Sequence, residues 1–185
     1  MKNIFPETEI LLKNGEKVII RQAQKSDAEQ LIKTVKHYVK ESTFIPMLEN
    51  EFTFTIEQEE ALIQSFIDFE NSLLLLAIHN NQIIGNIDVT GSRRKIMEHT
   101  AVIGMGMLSQ WQNGGLGTAL MNAAINWAKA NSLLEILWLQ VYTANNLGLN
   151  LYKKVGFKEV GIIQGFFKQD NTYYDNLTMV LSVKE

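Results

Sequence analysis

The chain of 185 residues contains no cysteine. It therefore forms no disulfide, has no thiolate metal site and cannot use a cysteine nucleophile. This composition fits a reducing compartment. The first seven residues show no apolar signal core, and the longest apolar runs, residues 73–78 among them, are far too short to span a bilayer. We therefore expect a cytoplasmic protein with no membrane partner.

Positive charge is also scarce, and the formal net charge is −3. Because binding to nucleic acid needs a clustered basic surface, we expect no nucleic-acid partner. The compact basic run at residues 93–95 is typical of a solvated hairpin turn, with a contact to a coenzyme or partner as the alternative. His37, His79 and His99 do not have the spacing of metal ligands, so no metal site is expected.

The clearest pattern in the sequence is a glycine-rich stretch at residues 109–120. The residues before it are typical of a strand, and from Leu116 onward apolar residues recur at helical spacing. Gly114, Gly115 and Gly117 can adopt positive φ and place no Cβ between the backbone and a ligand. Because N–H groups converge at a helix N-terminus, this stretch predicts a cradle for a phosphate or pyrophosphate. A plain strand-to-helix connection is the alternative.

Two common nucleotide-binding motifs are absent from this stretch. It has no Gly-Lys-Ser/Thr, and hence neither the lysine nor the magnesium-binding hydroxyl of a P-loop. It also lacks the third glycine of a dinucleotide fingerprint, and Glu135, the acid about twenty residues on, opens the next predicted strand instead of ending one. The possibility that remains is an anion held by backbone amides alone.

Hydrophobic periodicity predicts one α/β (α+β) domain over residues 1–185, without internal repeat or linker. Strands are predicted at residues 9–13, 17–21, 73–79, 82–90, 97–108, 135–142, 158–167 and 173–183. Helices are predicted to begin at a capping box at Ser26, at Thr55, at Leu116 and at Asn145, with Gly156 ending the last. We expect a mixed, mostly antiparallel sheet of about seven strands flanked by about four helices.

Three local expectations bear on the site. Asn14-Gly15 predicts a type I′ hairpin. The irregular, apolar residues 42–54 are typical of a lid over a binding site or of a loop that covers the core edge. The acids of the second helix are expected mostly on its solvated face, with an acidic rim that attracts a cationic amine as the alternative. These acids are Glu57, Glu59, Glu60, Asp68 and Glu70.

Residues 112–117 match the Gln/Arg-x-x-Gly-x-Gly/Ala pattern of the GNAT (GCN5-related N-acetyltransferase) family. Residues 145–157 are similar to the family's Asn-x-x-Ala-x-x-Leu-Tyr-x-x-x-Gly-Phe stretch, with Gly148 at the usual alanine and Leu147 at the usual arginine. The chain most resembles the bacterial branch that acetylates small amines, amino acids or protein amino groups. The resemblance implies a GNAT-like fold, acetyl-coenzyme A as co-substrate and a small-molecule or peptide amine as acceptor.

The resemblance also implies which residues bind the coenzyme. They are Met105, Met107, Leu108, Gln112, Asn113, Gly114, Gly115, Leu116, Gly117, Thr118, Asn145 and Tyr152. In the family, a backbone N–H of the strand before the loop meets the oxyanion, and here Met107 or Leu108 would donate it. Gly104 and Gly106 suggest a bulge, or a close approach by a ligand, in that strand. A bulge would splay the strand from its neighbour and open a slot for the pantetheine arm.

Asn145 and Tyr152 are two helical turns apart, about 10 Å along the axis, and therefore lie on one face. An amide at the helix start can hold a pantetheine arm. A phenol with a pKa of about 10 is protonated at neutral pH and can protonate a departing thiolate. A core tyrosine beside Phe157 is the alternative for Tyr152, and the resemblance favours the catalytic role.

The general base is the open question, because Val102 occupies the position where many relatives carry a glutamate. A weak base or a water chain to Glu98, His99 or Asp88 is the remaining route. Deprotonating a lysine-like amine at pH 7 costs about 4.6 kcal/mol, whereas an α-amine costs about 1–1.5 kcal/mol. The sequence therefore favours α-amino groups or other amines of low pKa.

The acceptor side has one further candidate residue. Asp175 resembles an acidic position on the family's last strand and is predicted to bind a substrate ammonium, with a hairpin-edge aspartate as the equal alternative. An exposed strand edge makes a homodimer plausible. The rival function is a non-catalytic acyl-coenzyme A binding module, whose support is the loss of the glutamate at Val102.

Overall fold

A computed structural model describes residues 4–184 and contains one mixed sheet of eight strands in the order β1-β2-β3-β4-β5-β6-β8-β7. The strands are β1 (Thr8–Leu11), β2 (Lys17–Gln22), β3 (Leu73–His79), β4 (Gln82–Gly91), β5 (Thr100–Met107), β6 (Ile136–Tyr142), β7 (Lys158–Gln169) and β8 (Thr172–Ser182). The α-helices are α1 (Ala28–Glu41), α2 (Ile56–Asp68), α3 (Leu116–Ala130) and α4 (Asn146–Lys154). The predicted fold class is confirmed, with eight strands instead of about seven.

The two faces of the sheet carry different helices. Leu116, Leu120 and Ala124 bury α3 in the larger apolar cluster, on one face of the sheet. Leu31 of α1 and Ile63 of α2 belong to a second cluster, which packs on the opposite face. Within residues 4–184, no helix is long and apolar enough to cross a membrane.

The strand pair β5–β6 is parallel, whereas the other strand pairs of the sheet are antiparallel. The connection between β5 and β6 runs through α3, as a parallel crossover requires. Their pairing covers three residue pairs, from Thr100↔Ile136 to Val102↔Trp138. Beyond Val102 the two strands are no longer paired. We call this opening the β5–β6 cleft.

Side chains alternate between the two faces along β5. Ala101 and Ile103 belong to the cluster under α3, and Met105 and Met107 pack against it. Because successive residues of a strand point to opposite faces, Val102, Gly104 and Gly106 face the side of α1 and α2. The cleft is therefore bordered by methionines on one face and by glycines on the other.

Several local expectations were wrong. The capping box at Ser26 does not form: Asp27 instead accepts two 2.7 Å hydrogen bonds from Arg21 and one of 2.8 Å from the Gln24 N–H. The turn at Asn14-Gly15 is not type I′, because positive φ occurs there at Gly15 and not at Asn14. By contrast, the predicted cap at Thr55 is confirmed by its hydrogen bond from the Gln58 N–H.

Candidate active site

The glycine-rich stretch forms a tight turn into α3. Gly115 is the N-cap with φ +99°, and Asn113 has φ +60°, so two residues of the turn lie in the left-handed region. A side chain at Gly115 would be strained, whereas glycine adopts this conformation freely. Within residues 4–184, no hydrogen bond engages the N–H groups of Leu116, Gly117 or Thr118. These three donors point out of the helix start, as an anion site requires.

A lysine that sequence reasoning missed lies beside this turn. The Lys13 N–H donates to the Gly114 carbonyl over 3.1 Å. A Cβ at Gly115 would lie 3.8 Å from Lys13 Cγ and 4.0 Å from Lys13 Cε, so the lysine side chain runs along the turn. Lys13 forms no salt bridge within the described residues. No sequence signal links the two, because about a hundred residues separate them and the contact depends on how the β1–β2 turn packs.

The start of α3 brings together the other two predicted parts of the site. A Cβ at Gly117 would lie 3.0 Å from Leu151 Cδ2, 3.3 Å from Met107 Cε and 3.7 Å from Met105 Cε. The turn, the end of β5 and helix α4 therefore meet at one point beside the β5–β6 cleft. Leu116 is fully buried behind it, and Gln112 and Asn113 are exposed at its outer edge.

The hydrogen bonds between β4 and β5 distinguish the two candidate oxyanion donors, which are the N–H groups of Met107 and Leu108. The Leu108 N–H donates to the Ile84 carbonyl over 3.0 Å and is therefore already used. Neighbouring N–H groups alternate in direction along a strand, so the N–H of Met107 points away from β4. On that side β5 has already parted from β6. The Met107 N–H thus faces the cleft, and the Leu108 N–H does not.

Helix α4 presents the predicted asparagine and tyrosine. Asn145 is its N-cap, and Asn145 Oδ1 accepts a 2.9 Å hydrogen bond from the Gly148 N–H. The N–H₂ group of Asn145 remains as a donor. Tyr152 packs against the core below α3, with its ring 6.2 Å from that of Phe157. Burial raises the pKa of Tyr152 to about 12, so its phenol is neutral at physiological pH.

The two glycines of β5 do not form the expected bulge. β5 pairs with β4 in unbroken register from Gly85↔Met107 to Gly91↔Ala101. The glycines instead leave room for side chains: a Cβ at Gly106 would meet the ring of Tyr38, and one at Gly104 would lie 2.5 Å from Asp88 Oδ1. The expected bulge was wrong, and the splay of β5 is on its other side, toward β6.

Asp88 belongs to a polar group on this face of the sheet. The Thr90 hydroxyl donates to Asp88 Oδ2 over 2.9 Å, and the Tyr38 hydroxyl donates to Asn86 Oδ1 over 3.0 Å. Burial raises the pKa of Asp88 to about 6, against the opposing effect of the hydrogen bond from Thr90. Asp88 forms no salt bridge within the described part of the chain.

Glu59 lies on the inner face of α2 and is an exception to the expectation that the acids of this helix lie mostly on its solvated face. Its side chain is 3% exposed, and its Oε2 atom has no hydrogen-bond partner within residues 4–184. Burial raises the pKa of Glu59. The charge of Glu59 also contributes, after burial and Asp88, to raising the pKa of Tyr38. The buried acid therefore belongs to the same neighbourhood as Asp88.

An aromatic cluster at the end of β6 borders the cleft on the side across from β5. The ring of Tyr142 stacks on Phe167 at 3.8 Å and has Phe44 and Tyr174 at 5.7 Å. Phe44 comes from residues 42–54, so this loop lies over the end of β6. Asp175 Oδ1 accepts a 2.8 Å hydrogen bond from the backbone of β7, as a hairpin-edge aspartate would. Its role toward a substrate stays a prediction.

The architecture is similar to that of solved structures described as acetyltransferases. An acetyltransferase of the GNAT family from Streptococcus pneumoniae is 28% identical, with a TM-score of 0.87 over 90% of this chain and 99% of that one. The fold also matches yncA, a putative acetyltransferase from Salmonella typhimurium solved with its cofactor acetyl-CoA, at 17% identity and a TM-score of 0.80 over 91% and 95% of the two chains. The fold and the turn at α3 thus define an acetyltransferase-like protein.

Sequence comparison gives the family. Residues 28–157 match the model of the acetyltransferase (GNAT) family, and the chain belongs to this family. It is 25% identical to an N-alpha-acetyltransferase of Sulfurisphaera tokodaii, over 88% of this chain and 93% of the relative. It is 28% identical to the ribosomal protein bS18-alanine N-acetyltransferase of Haemophilus influenzae, over 70% and 89%. An L-amino acid N-acetyltransferase of Escherichia coli is 27% identical, over 55% and 62%.

Proposed function

We propose that this protein transfers the acetyl group of acetyl-coenzyme A to a primary amine by direct attack in a ternary complex. One observation carries the proposal: free N–H groups at the start of α3 lie beside the cleft where β5 parts from β6. Such donors suit a diphosphate, and the cleft suits a narrow chain that ends in a thioester. Membership of the acetyltransferase family supports the same assignment.

The residues around the cleft fit the coenzyme. The N–H groups of residues 113–118 would hold its diphosphate, with Lys13 adding a positive charge. The free N–H₂ of Asn145 would hold the pantetheine arm, and Gly117 lets that arm pass close to the helix start. Bound acetyl-coenzyme A supplies an acetyl group activated as a thioester.

Two groups of this chain would act on the reacting atoms. The Met107 N–H would donate to the carbonyl oxygen as negative charge develops there, which is the kind of preorganised contact that lowers a barrier by a few kcal/mol. Tyr152, which is protonated at neutral pH, would give its proton to the departing sulfur. Together they stabilise the two negative charges that form during attack and departure.

We further propose that the acceptor is an α-amino group, as in an amino acid or a peptide N-terminus. Three relatives support this class, because their names place them on α-amino groups or on amino acids. An α-amine is also cheaper to deprotonate than a lysine side chain by about 3 kcal/mol at pH 7. The aromatic cluster around Tyr142 would then form one wall of the acceptor site.

The direct test is release of thiol from acetyl-coenzyme A with a panel of amino acids, short peptides and lysine-like amines. We expect turnover with α-amines, and a fall in kcat of about 100-fold or more in Tyr152→Phe, since general acids contribute at least about that factor. Calorimetry should show that the variant still binds coenzyme A, since the phenylalanine keeps the ring. Tyr173→Phe, at an exposed tyrosine of the β7–β8 hairpin, is the matched control.

The second candidate function is a non-catalytic acyl-coenzyme A binding module. Val102, which stands at the position of the family's glutamate, is the observation that favours it. This candidate predicts tight coenzyme binding and no turnover with any amine. The presence of Tyr152 on α4, with a protonated phenol at neutral pH, favours the enzyme.

A further inference from the structure

We propose that Asp88 is the general base of this protein and takes the place of the glutamate that Val102 replaces. The inference rests on the proposed amine acetylation and names a catalytic residue for it. Asp88 comes from β4, the strand next to β5, so the carboxylate reaches the site across the sheet and not along β5.

The register of the sheet places Asp88 at the site. Asp88 pairs with Gly104, and Thr90 pairs with Val102. Gly104 and Val102 lie on the same face of β5, about 7 Å apart, because they are two residues apart in a strand. The carboxylate therefore stands close to the point that a side chain at position 102 would reach, on the face away from α3.

Gly104 is what allows this placement. Any Cβ at that position would lie 2.5 Å from Asp88 Oδ1 and 3.1 Å from Asp88 Cγ. A side chain there would push the carboxylate away from β5. With glycine, the carboxylate lies directly over the strand, at the point where the pairing of β5 with β6 has just ended at Val102.

The other candidate bases are placed less well. Glu98 and His99 precede β5, so about 25–30 Å of strand separates them from Met107. Glu98 is also paired with Lys95. Glu59 is buried and has no surface that an acceptor from solvent could reach. Of the bases considered from the sequence, Asp88 is the one beside the cleft.

The surroundings of Asp88 raise its pKa toward neutral pH. The charges of Asp88 and Glu59 both raise the pKa of Tyr38, so Tyr38 of α1 lies near both acids, and neither Tyr38 nor Glu59 brings a positive charge. On β4 itself, Thr90 donates one hydrogen bond. Burial raises the pKa of Asp88 to about 6, which leaves it ionised at pH 7 and far more basic than an exposed aspartate.

The proton balance of the reaction is complete with these residues. Asp88 takes one proton from the acceptor's ammonium group, and the freed lone pair forms the new C–N bond at the thioester carbon. The C–S bond then breaks, and the sulfur receives the proton of Tyr152. The nitrogen's second proton restores Tyr152 through solvent, and Asp88 returns its own proton to water.

Asp88→Asn tests the proposal. We expect kcat/KM for the best amine of the panel to fall by about 100-fold or more, the lower end of what general bases contribute. In the wild-type protein kcat/KM should fall as the pH drops below about 6, and the variant should lose this dependence. Its affinity for coenzyme A should be unchanged. Asp170→Asn, in the exposed β7–β8 turn, is the matched control and should behave as wild type.

Two further measurements separate catalysis from folding. The double variant D88N/V102E returns a carboxylate to the family's position. Its kcat/KM should be at least tenfold higher than that of D88N. Without any ligand, the Tm of the wild-type protein should fall from pH 4 to pH 6 relative to that of D88N, because a group with a raised pKa loses stability as it ionises. This second readout does not depend on activity.

The outcomes are distinct. If the wild-type protein acetylates amines and D88N keeps kcat/KM within twofold with the same pH profile, Asp88 is not the base. If both proteins bind coenzyme A and neither turns over any amine, the proposed acetylation is wrong. The role proposed for Asp88 is then wrong as well. Loss of activity without rescue in D88N/V102E, together with an unchanged Tm difference between pH 4 and pH 6, would also overturn the proposal.

Discussion

Tyr152 and Asp88 are both half-buried, and desolvation raises the pKa of each, with opposite chemical results. The pKa of Tyr152, about 12, keeps the phenol protonated throughout the physiological range. The pKa of Asp88, about 6, leaves the carboxylate ionised at pH 7 but ready to accept a proton. The same desolvation thus keeps one residue protonated and makes the other a stronger base.

At the same scale, Lys13 should contribute to coenzyme binding through its charge. We expect Lys13→Gln to weaken the affinity for coenzyme A about two- to fivefold at low salt, a typical range for one exposed charge. Lys17→Gln is the control, because Lys17 is exposed and paired with Glu9. Calorimetry in 0.5 M salt should abolish the difference, since salt screens exposed charges. A salt-independent loss would contradict a purely electrostatic role.

Glu59 should make the fold less stable at neutral pH. Its carboxylate is buried, it has no partner at Oε2, and burial raises its pKa. A raised pKa means that stability is present at low pH and lost as the pH rises through the folded-state pKa. We therefore expect Glu59→Gln to have a higher Tm than wild type at pH 7.5 and a smaller advantage at pH 4. Glu60→Gln, at a half-buried position of the same helix, should change the Tm less at either pH.

At the scale of elements, the turn into α3 depends on one backbone conformation. Gly115 has φ +99°, whereas Gly114 has ordinary φ and 3.8 Å of room beside the Trp111 carbonyl. We expect Gly115→Ala to lose about 1–2 kcal/mol of stability, the cost of a left-handed residue with a Cβ. At about 2–4 °C per kcal/mol, this loss is measurable as a lower Tm of the ligand-free protein. Gly114→Ala should unfold as wild type, and an equal loss in both variants would contradict the argument.

The elements themselves were largely predictable, and the contacts between them were not. The turn, α3 and α4 follow from local spacing of glycines, apolar residues and Asn145, all within about fifty residues. Asp88 over Gly104 depends on the register of β4 with β5, and Lys13 beside Gly115 depends on the packing of a distant turn. Polarity misled at Glu59: its spacing to Ile63 and Phe66 puts it on the buried face of α2, but an acid is expected outside.

At the scale of the whole molecule, β7 forms one edge of the sheet and exposes an apolar stripe. Val160, Ile162, Ile163 and Phe166 are each 48–60% exposed. We expect two copies of the chain to associate through this edge, which would cover the stripe. Sedimentation should then give twice the mass of the 21.0 kDa chain, and Ile162→Lys should give the single chain. A wild-type protein that sediments as the single chain at micromolar concentration would refute this association.

The short pairing of β5 with β6 also bears on how the two substrates bind. Three residue pairs hold these strands together, and past them β5 and β6 are no longer paired. The loop that would bind the nucleotide portion lies on the side of α3, and the aromatic wall and Asp88 lie on the side of α1. The coenzyme and the amine can therefore bind from opposite faces of the sheet and meet where β5 and β6 part. We expect free coenzyme A to compete with the acetyl donor but not with the amine, as steady-state product inhibition would reveal.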